Sequence, residues 1–296
     1  MSRPPIRISV GLPIRVSGVS SDFILDWARR ADEAGFASLV GLDRVVSRAM
    51  EPLVVLAAAA GVTRRITLMT SILLAPTRET TLLARQVAAL DALSAGRLSL
   101  GIGIGVRESD YVATGFDFHR RGRREEEQLE TLRRLWRGEP LGEGIGPIGP
   151  APARPGGPEV LLGGYVPAIA RRIARWGDGF MAPGGGEPVA MSALWAQILE
   201  AWAQEGRAGR PRWVGATYYA LGPNAANAAA GYINANYAFD PALSARRLAT
   251  LPKGRDEVLR AIEAQAAQGV DELILRPVTA DWAMLDELAE IAAGLG

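Results

Sequence analysis

The chemistry open to this chain is limited first by the side chains it lacks. Its 296 residues include no cysteine, His119 is the only histidine and Lys253 is the only lysine. Thiolate nucleophiles and thiolate metal sites are therefore excluded, and zinc sites with several imidazoles or serine–histidine–acid triads are disfavoured. Lys253 lies in a sequence typical of an exposed turn, and His119 precedes a charged helix, which favours a surface position. If the chain is an enzyme, we expect its demanding chemistry to come from a cofactor.

Polar side chains that follow buried strands are the remaining candidates for catalysis. Asp43 and Arg44 close the second predicted strand, while Glu108, Asp110 and Tyr111 follow the fourth. At the carboxyl end of a barrel strand, Asp43 and Arg44 are placed to orient a cofactor or substrate, and the Tyr111 hydroxyl is placed to donate to one. A salt bridge at the rim is the alternative for Asp43 and Arg44, and a hydrated loop is favoured for the two acids.

A glycine repeat ends the fourth predicted strand, at Gly101, Gly103 and Gly105. The dinucleotide fingerprint needs glycine three residues after the second one, where this chain has Val106 or Glu108 depending on register. We therefore interpret Gly103 and Gly105 as positions where a missing side chain lets a flat ring approach the barrel mouth. Close packing between a helix and the strand is the alternative.

A second pair of glycines, Gly163 and Gly164, follows the fifth predicted strand, and a helix is expected to start near Val166 and Pro167. The free N–H groups and positive dipole end of such a helix form a natural phosphate site. We predict that backbone N–H groups of Gly163, Gly164 and Tyr165 hold a cofactor phosphate. An ordinary turn is the alternative.

Eight apolar runs alternate with helical periodicity and supply the strand ends that carry these residues. Eight buried parallel strands alternating with helices predict a closed (β/α)₈ TIM barrel in one domain over residues 1–296, and an open doubly wound sheet is the alternative. Two stretches exceed a minimal barrel: a Gly- and Pro-rich segment at 138–157 and an Ala- and Asn-rich segment at 224–250, each a pocket border or a surface insertion. The predicted strands are residues 6–12, 37–42, 66–74, 97–104, 159–162, 179–182, 213–221 and 271–275.

Charge and composition limit which binding partners and which cellular location we expect. The formal net charge is +1, which gives no reason to expect nucleic acid or an anionic membrane as a partner. The first residues lack the apolar core of a secretion signal, and no uninterrupted apolar run approaches a membrane span. We expect a cytoplasmic protein. Only Asp43 is clearly an acid at a strand end, so we expect no metal site of the carboxylate type.

Several blocks occur together in an order and spacing that resemble a known family. They are residues 31–36 (ADEAGF), 93–105 (LSAGRLSLGIGIG), 115–122 (GFDFHRRG) leading to Leu135 and Trp136, 161–164 (LLGG) and 177–180 (GDGF). In this combination the chain resembles the bacterial luciferase-like flavin- and deazaflavin-dependent oxidoreductases. The resemblance covers about residues 6–185 and is weak in the C-terminal third.

The resemblance implies a (β/α)₈ barrel with an extended region after the seventh strand and a cofactor at the C-terminal mouth. That cofactor is reduced FMN, delivered by a separate flavin reductase and used with oxygen on a small-molecule substrate, or the deazaflavin coenzyme F420, which exchanges a hydride. Deazaflavin members carry a bulge in the third strand with a non-proline cis peptide bond, here Ser71–Ile72, whose backbone supports the ring. Family members often pair through helices near residues 52–60, which implies a homodimer.

Two departures from the family pattern bear on the reaction. Many members have Asp-His where this chain has Asp43 and Arg44, and arginine cannot exchange protons at neutral pH. Some deazaflavin enzymes have glutamate where this chain has Val106. These departures favour a monooxygenase that uses reduced FMN. A deazaflavin-dependent reductase or dehydrogenase, and a flavin-binding protein without turnover, are the alternatives.

Overall fold

The strands of a computed structural model, which describes residues 5–184 and 188–295, close into a barrel. All eight pair in parallel in chain order, and β8 pairs with β1. This confirms the predicted (β/α)₈ barrel over the open sheet. The predicted strand limits agree with the observed ones within about two residues. The strands are β1 (Arg7–Gly11), β2 (Ser38–Gly41), β3 (Thr67–Leu73), β4 (Leu98–Ile102), β5 (Glu159–Gly163), β6 (Gly179–Met181), β7 (Arg212–Tyr219) and β8 (Glu272–Pro277).

The helices surround the barrel, and side chains cap several of them. The Ser20 hydroxyl accepts from the Phe23 amide at the start of α1, and the Glu51 carboxylate accepts from the Val54 amide at the start of α2. The helices are α1 (Ser21–Glu33), α2 (Pro52–Val62), α3 (Thr80–Leu93), α4 (Glu108–Thr114), α5 (Arg121–Trp136), α6 (Ala168–Trp176), α7 (Pro188–Gln204), α8 (Ala225–Tyr237), α9 (Pro241–Thr250), α10 (Arg255–Gln268) and α11 (Trp282–Ala293), with short 3₁₀ helices at Ala75–Thr77 and Phe118–Arg120.

The extended region after the seventh strand consists of α8 and α9, inserted before α10. These helices pack on the end of β7 through Tyr218, Ile233, Tyr237 and Leu251. The neighbouring Tyr219 joins the main core instead, so only one of the two adjacent tyrosines points to this region, as strand alternation requires. The predicted insertion is thereby confirmed, and it lies at the C-terminal end of the barrel.

The segment at 138–157 contains no helix or strand, and it lies at the other end. The Arg154 guanidinium pairs with Asp91 at 3.4 Å and donates to the Leu98 carbonyl, at the first residue of β4. This segment therefore covers the N-terminal end of the barrel and does not border the mouth. The possibility that it lines a pocket at the mouth is wrong.

Charged side chains close the N-terminal end of the barrel from the inside. The buried Glu272 carboxylate accepts from the Ser9 and Ser38 hydroxyls at 2.7 Å each. Arg212 bridges Glu272 and Glu159, at 2.5 Å and 2.6 Å. Burial alone would lower the pKa of Arg212, but the two carboxylates outweigh it and raise that pKa. These residues come from five strands, so the network spans the barrel interior.

Candidate active site

The floor of the C-terminal mouth is apolar. A layer of buried side chains fills the barrel, and Ile72 of β3 packs on that layer while staying partly exposed. A Cβ built on Gly103 would lie 2.1 Å from Ile72 Cδ1, and one built on Gly163 would lie 3.1 Å from Ile72 Cγ2. The layer consists of Val40, Met69, Leu161, Met181, Val214, Ala216 and Ile274.

These distances change the interpretation of the glycines. The space that Gly103 and Gly163 leave open is occupied by Ile72, and a Cβ on Gly105 would meet Leu74 Cδ2 at 2.9 Å. Gly105 also has a φ of +66°, a conformation that favours glycine. Close packing, here against β3 side chains, therefore explains these glycines in the structure. At this mouth Ile72, and not open space, therefore lies over Gly103.

The third strand carries the irregularity that the resemblance implied. Its pairing with β4 shifts register between Thr70 and Leu73, and the Ser71–Ile72 peptide bond is cis. The Arg276 guanidinium, at the end of β8, donates to the Ser71 hydroxyl at 2.7 Å and to the Ser71 carbonyl at 3.1 Å. The bulge therefore places Ser71 against β8 and leaves Ile72 at the mouth.

Asp43 is buried and bonded to the barrel wall. Its Oδ2 accepts from the Leu74 amide at 2.9 Å and from the Arg78 guanidinium at 2.8 Å. Arg78 also pairs with Glu51 at 2.9 Å. The carboxylate thus joins the end of β2 to the end of β3, and both partners are protein groups.

Arg44 forms a salt bridge, although not with Asp43. Its guanidinium pairs with Asp110 at 2.6 Å, and the other Asp110 oxygen accepts from the Val46 amide at 2.9 Å. Burial lowers the pKa of Arg44, and the Asp110 charge opposes that effect. Arg44 and Asp110 therefore fasten the loop after β2 to α4, and Asp110 lies in a buried ion pair where the sequence favoured a hydrated loop.

Tyr111 is fully buried, and its hydroxyl donates to the Ile104 carbonyl. Its ring meets Phe118 edge to face at 5.4 Å, and burial raises its pKa. To donate to a cofactor, this hydroxyl would have to give up its bond to Ile104.

The turn between β5 and α6 is open at its surface. Tyr165 is 53% exposed, and a Cβ built on Gly164 would lie 3.3 Å from Ile169 Cγ1. Helix α6 begins at Ala168, directly after the expected start near Val166 and Pro167, and no side chain caps its N-terminus. The turn therefore has the uncapped helix start on which the phosphate prediction depends.

Sequence reasoning missed a cluster of arginines and tyrosines beside the floor. The Tyr218 and Tyr237 hydroxyls are 2.7 Å apart. The Arg247 Cζ lies 4.6 Å from the centre of the Tyr237 ring, and the Arg276 Cζ lies 5.8 Å from that of Tyr218. We name the set formed by Arg15, Arg107, Arg247, Arg276, Tyr218, Tyr232 and Tyr237 the arginine–tyrosine cluster.

The cluster is strongly cationic. Within the described part of the chain, Arg15, Arg107, Arg247 and Arg276 have no salt bridge to a carboxylate. The pKa of Arg107 is lowered to about 10, first by burial and then by the charges of Arg44 and Arg15. No local motif predicts the cluster, because its members come from the ends of β1, β4, β7 and β8 and from the insertion.

The described residues contain neither a candidate metal site nor a candidate membrane span. In residues 5–184 and 188–295, no group of three or more potential histidine, aspartate or glutamate ligands could hold a metal ion. The helices of the same residues include none that is both long and apolar enough to cross a bilayer.

Comparison with known proteins decides the family. The model of the luciferase-like monooxygenase family matches residues 7–290. The chain belongs to this family of oxidoreductases. Its closed (β/α)₈ barrel is the luciferase-like fold.

The chain is similar in sequence to several curated proteins. It is 34% identical over 165 residues to an uncharacterized Mycobacterium tuberculosis protein, and the match covers 53% of this chain and 56% of that one. It is 29% identical over 203 residues to an F420-dependent glucose-6-phosphate dehydrogenase of Nocardia farcinica, which covers 64% of this chain and 56% of the relative. The chain thus spans little more than half the length of these curated relatives.

Solved structures match over nearly the whole chain. An F420-dependent secondary alcohol dehydrogenase with an F420–acetone adduct is 16% identical, with a TM-score of 0.80, over 99% of this chain and all of that one. The oxygenating constituent of 3,6-diketocamphane monooxygenase of Pseudomonas putida, in complex with FMN, is 18% identical, with a TM-score of 0.76, over 99% and 97% of the chains. At these identities the likeness shows the shared fold.

Proposed function

We propose that the chain is a monooxygenase that uses reduced FMN and oxygen to oxidise a small organic substrate at the mouth of the barrel. Besides family membership, one observation supports the proposal: protein partners already engage Asp43, Arg44 and Tyr111. Hydride exchange with an alcohol or carbonyl requires a positioned group that gives or takes a proton. Arg44 stands where many members of the family carry histidine and cannot exchange protons at neutral pH, which favours oxygen chemistry over hydride exchange.

The residues of the mouth fit a flavin. Ile72 offers an apolar surface for a flat ring, and the uncapped start of α6 beside Gly163, Gly164 and Tyr165 offers N–H groups for a phosphate. Reduced flavin, when bound, supplies the electrons with which oxygen is activated. The chain's own part is to support the ring at Ile72, to bind the phosphate at the turn and to keep water out with α8.

The reduced cofactor would come from another protein. The Gly101–Gly105 repeat lacks the spacing of a dinucleotide fingerprint, so the sequence offers no nicotinamide site of that type. We therefore infer a separate flavin reductase as a partner. We further infer a homodimer, because Val54 is 69% exposed on α2 and Leu82 is 56% exposed on the neighbouring α3.

A deazaflavin-dependent reductase or dehydrogenase is the second candidate. It is favoured by the bulge between Thr70 and Leu73 in β3, which the resemblance associates with deazaflavin members. It is also favoured by the similarity to a relative named as an F420-dependent dehydrogenase. In this case Ser71 and Ile72 would support the deazaflavin ring.

Anaerobic titration of the protein with reduced FMN and with reduced deazaflavin, followed by rapid mixing with oxygen, separates the candidates. We expect reduced FMN to bind and its reoxidation to show a resolved absorbance phase that free flavin lacks. Binding of the deazaflavin alone would overturn the monooxygenase in favour of the second candidate. FMN binding with reoxidation identical to that of free flavin would indicate a flavin-binding protein without turnover.

A further inference from the structure

A small cavity opens between the ends of β1, β2 and β8, beneath α8. Its polar lining consists of two arginines and one tyrosine, and the rest is apolar or backbone. All three polar residues belong to the arginine–tyrosine cluster. The lining residues are Gly11, Leu12, Arg15, Val40, Leu42, Tyr232, Arg276 and Pro277.

The arginines of the cluster lack the carboxylate partners that several half-buried arginines have elsewhere in the molecule. Arg172 pairs with Glu125 and Glu126, and Arg212 pairs with Glu159 and Glu272. Arg78, Arg133 and Arg44 likewise each pair with an aspartate. Arg97, Arg121 and Arg124 also have no carboxylate partner among the described residues, and each donates to a backbone carbonyl. The cluster is distinguished by the number of such arginines that it brings together, which is four.

Several nitrogen atoms of the cluster lack hydrogen-bond partners as well. The Nε atoms of Arg15, Arg247 and Arg276 are buried and donate to no protein partner within residues 5–184 and 188–295. The Nε atoms of Arg44 and Arg212 are unpartnered as well, but carboxylates neutralise those two guanidinium groups. Tyr218 and Tyr237 offer ring faces and hydroxyls to the guanidinium groups, but no negative charge. A guanidinium presents its donors in a fork that matches phosphate and carboxylate oxygens. An anionic group would supply both the missing charge and the missing acceptors.

We propose that the cavity and the arginine–tyrosine cluster bind a phosphate or carboxylate group of the substrate, held by Arg15, Arg247 and Arg276 and covered by Tyr232. The site adjoins the reaction floor, since Arg276 donates to Ser71 and Ile72 follows Ser71 in the chain. A substrate anchored there would extend from its anionic group towards Ile72. The assignment of the anionic group to the substrate rests on the proposed function, whereas the binding of an anion is argued from the arginines alone.

Inorganic phosphate is the probe, measured by calorimetry and by thermal shift against chloride at constant ionic strength. We expect saturable binding to the wild-type protein and at least tenfold weaker binding to Arg15→Gln and to Arg247→Gln. Arg260→Gln is the matched control, because Arg260 is exposed on α10 and its loss changes the net charge equally. Two separate variants guard against a folding defect in one of them. Equal phosphate affinity in all four proteins, or no binding beyond that of chloride, would overturn the proposal.

The cofactor's own phosphate is the other source of the same chemistry, and competition distinguishes the two. Phosphate binding that persists at saturating reduced FMN supports the substrate assignment. Riboflavin lacks the phosphate group of FMN. If phosphate competes with FMN but not with riboflavin, the substrate assignment is overturned, and the cluster binds the phosphate of the cofactor instead. If reduced FMN does not bind at all, the proposed function fails while the phosphate titrations still test the anion site.

Discussion

Glu125 of α5 provides a test of the electrostatics that does not depend on activity. Its side chain is 1% exposed, Oε2 pairs with Arg172 at 3.2 Å, and Oε1 is buried without a hydrogen-bond partner. Burial raises the pKa of Glu125 from 4.5 to about 7, opposed by the charge of Arg172. Between these two values the folded state binds one more proton than the unfolded state, so the free energy of unfolding falls as pH rises.

The expected size of this effect follows from the two pKa values. At about 1.4 kcal/mol for each pH unit, the ionised carboxylate costs the folded state about 3 kcal/mol above pH 7. Glu125→Gln removes the titrating group, so the stability of the wild-type protein relative to the variant should decline by that amount from pH 4.5 to pH 8. At 296 residues this corresponds to a relative shift in Tm of roughly 5 °C or more.

The assay is urea or thermal unfolding of both proteins at intervals between pH 4.5 and pH 8. Subtracting the two curves cancels the other titrating groups. Glu126→Gln is the control, because it removes a half-exposed carboxylate from the same Arg172. Parallel curves for the wild-type protein and Glu125→Gln over the whole range would refute the reasoning about burial.

Three further predictions concern cofactor binding, catalysis and assembly. Gly164→Val should weaken binding of reduced FMN at least tenfold, or about 1.4 kcal/mol, since its side chain would crowd Ile169 at the β5–α6 turn; an unchanged Kd with an intact fold would remove this turn from the site. His119→Asn should keep most of the turnover, because His119 is exposed in a short 3₁₀ helix; a loss beyond about a hundredfold would show an acid–base role. Val54→Glu should convert a dimer to a monomer by light scattering at micromolar concentration, while Val112→Glu, equally exposed on α4, should not; a wild-type monomer would contradict the dimer.

The barrel could be predicted from the sequence because its strands carry a local signal. Parallel strands covered on both faces are continuous apolar runs, and glycine or proline ends most of them here. The limits of β5 and β6, for example, follow from Gly163 and Pro183. The insertion was visible in the same way, as a helical stretch too long for one crossover.

The candidate site could be predicted only in part, because its decisive contacts join distant positions. Arg44 and Asp110 are 66 residues apart, and Arg276 and Ser71 are 205 apart. Arginine is abundant along the whole chain, and no spacing distinguishes the unpaired arginines from the paired ones. The position of Ile72 over Gly103 likewise depends on the bulge in β3, and no proline or glycine in that segment signals it.

The charged network around Glu272 and Arg212 determines by which end of the barrel ligands can enter and leave. Because it closes the lower end of the barrel, a cofactor or substrate bound on Ile72 would have to enter and leave through the C-terminal mouth. Two ligands that share this opening have to exchange in sequence, so the ligand that binds deeper enters first and leaves last. A ring lying on Ile72 would therefore already be in place before a substrate anchored at the rim arrives, and the product would have to leave before the spent cofactor could be replaced.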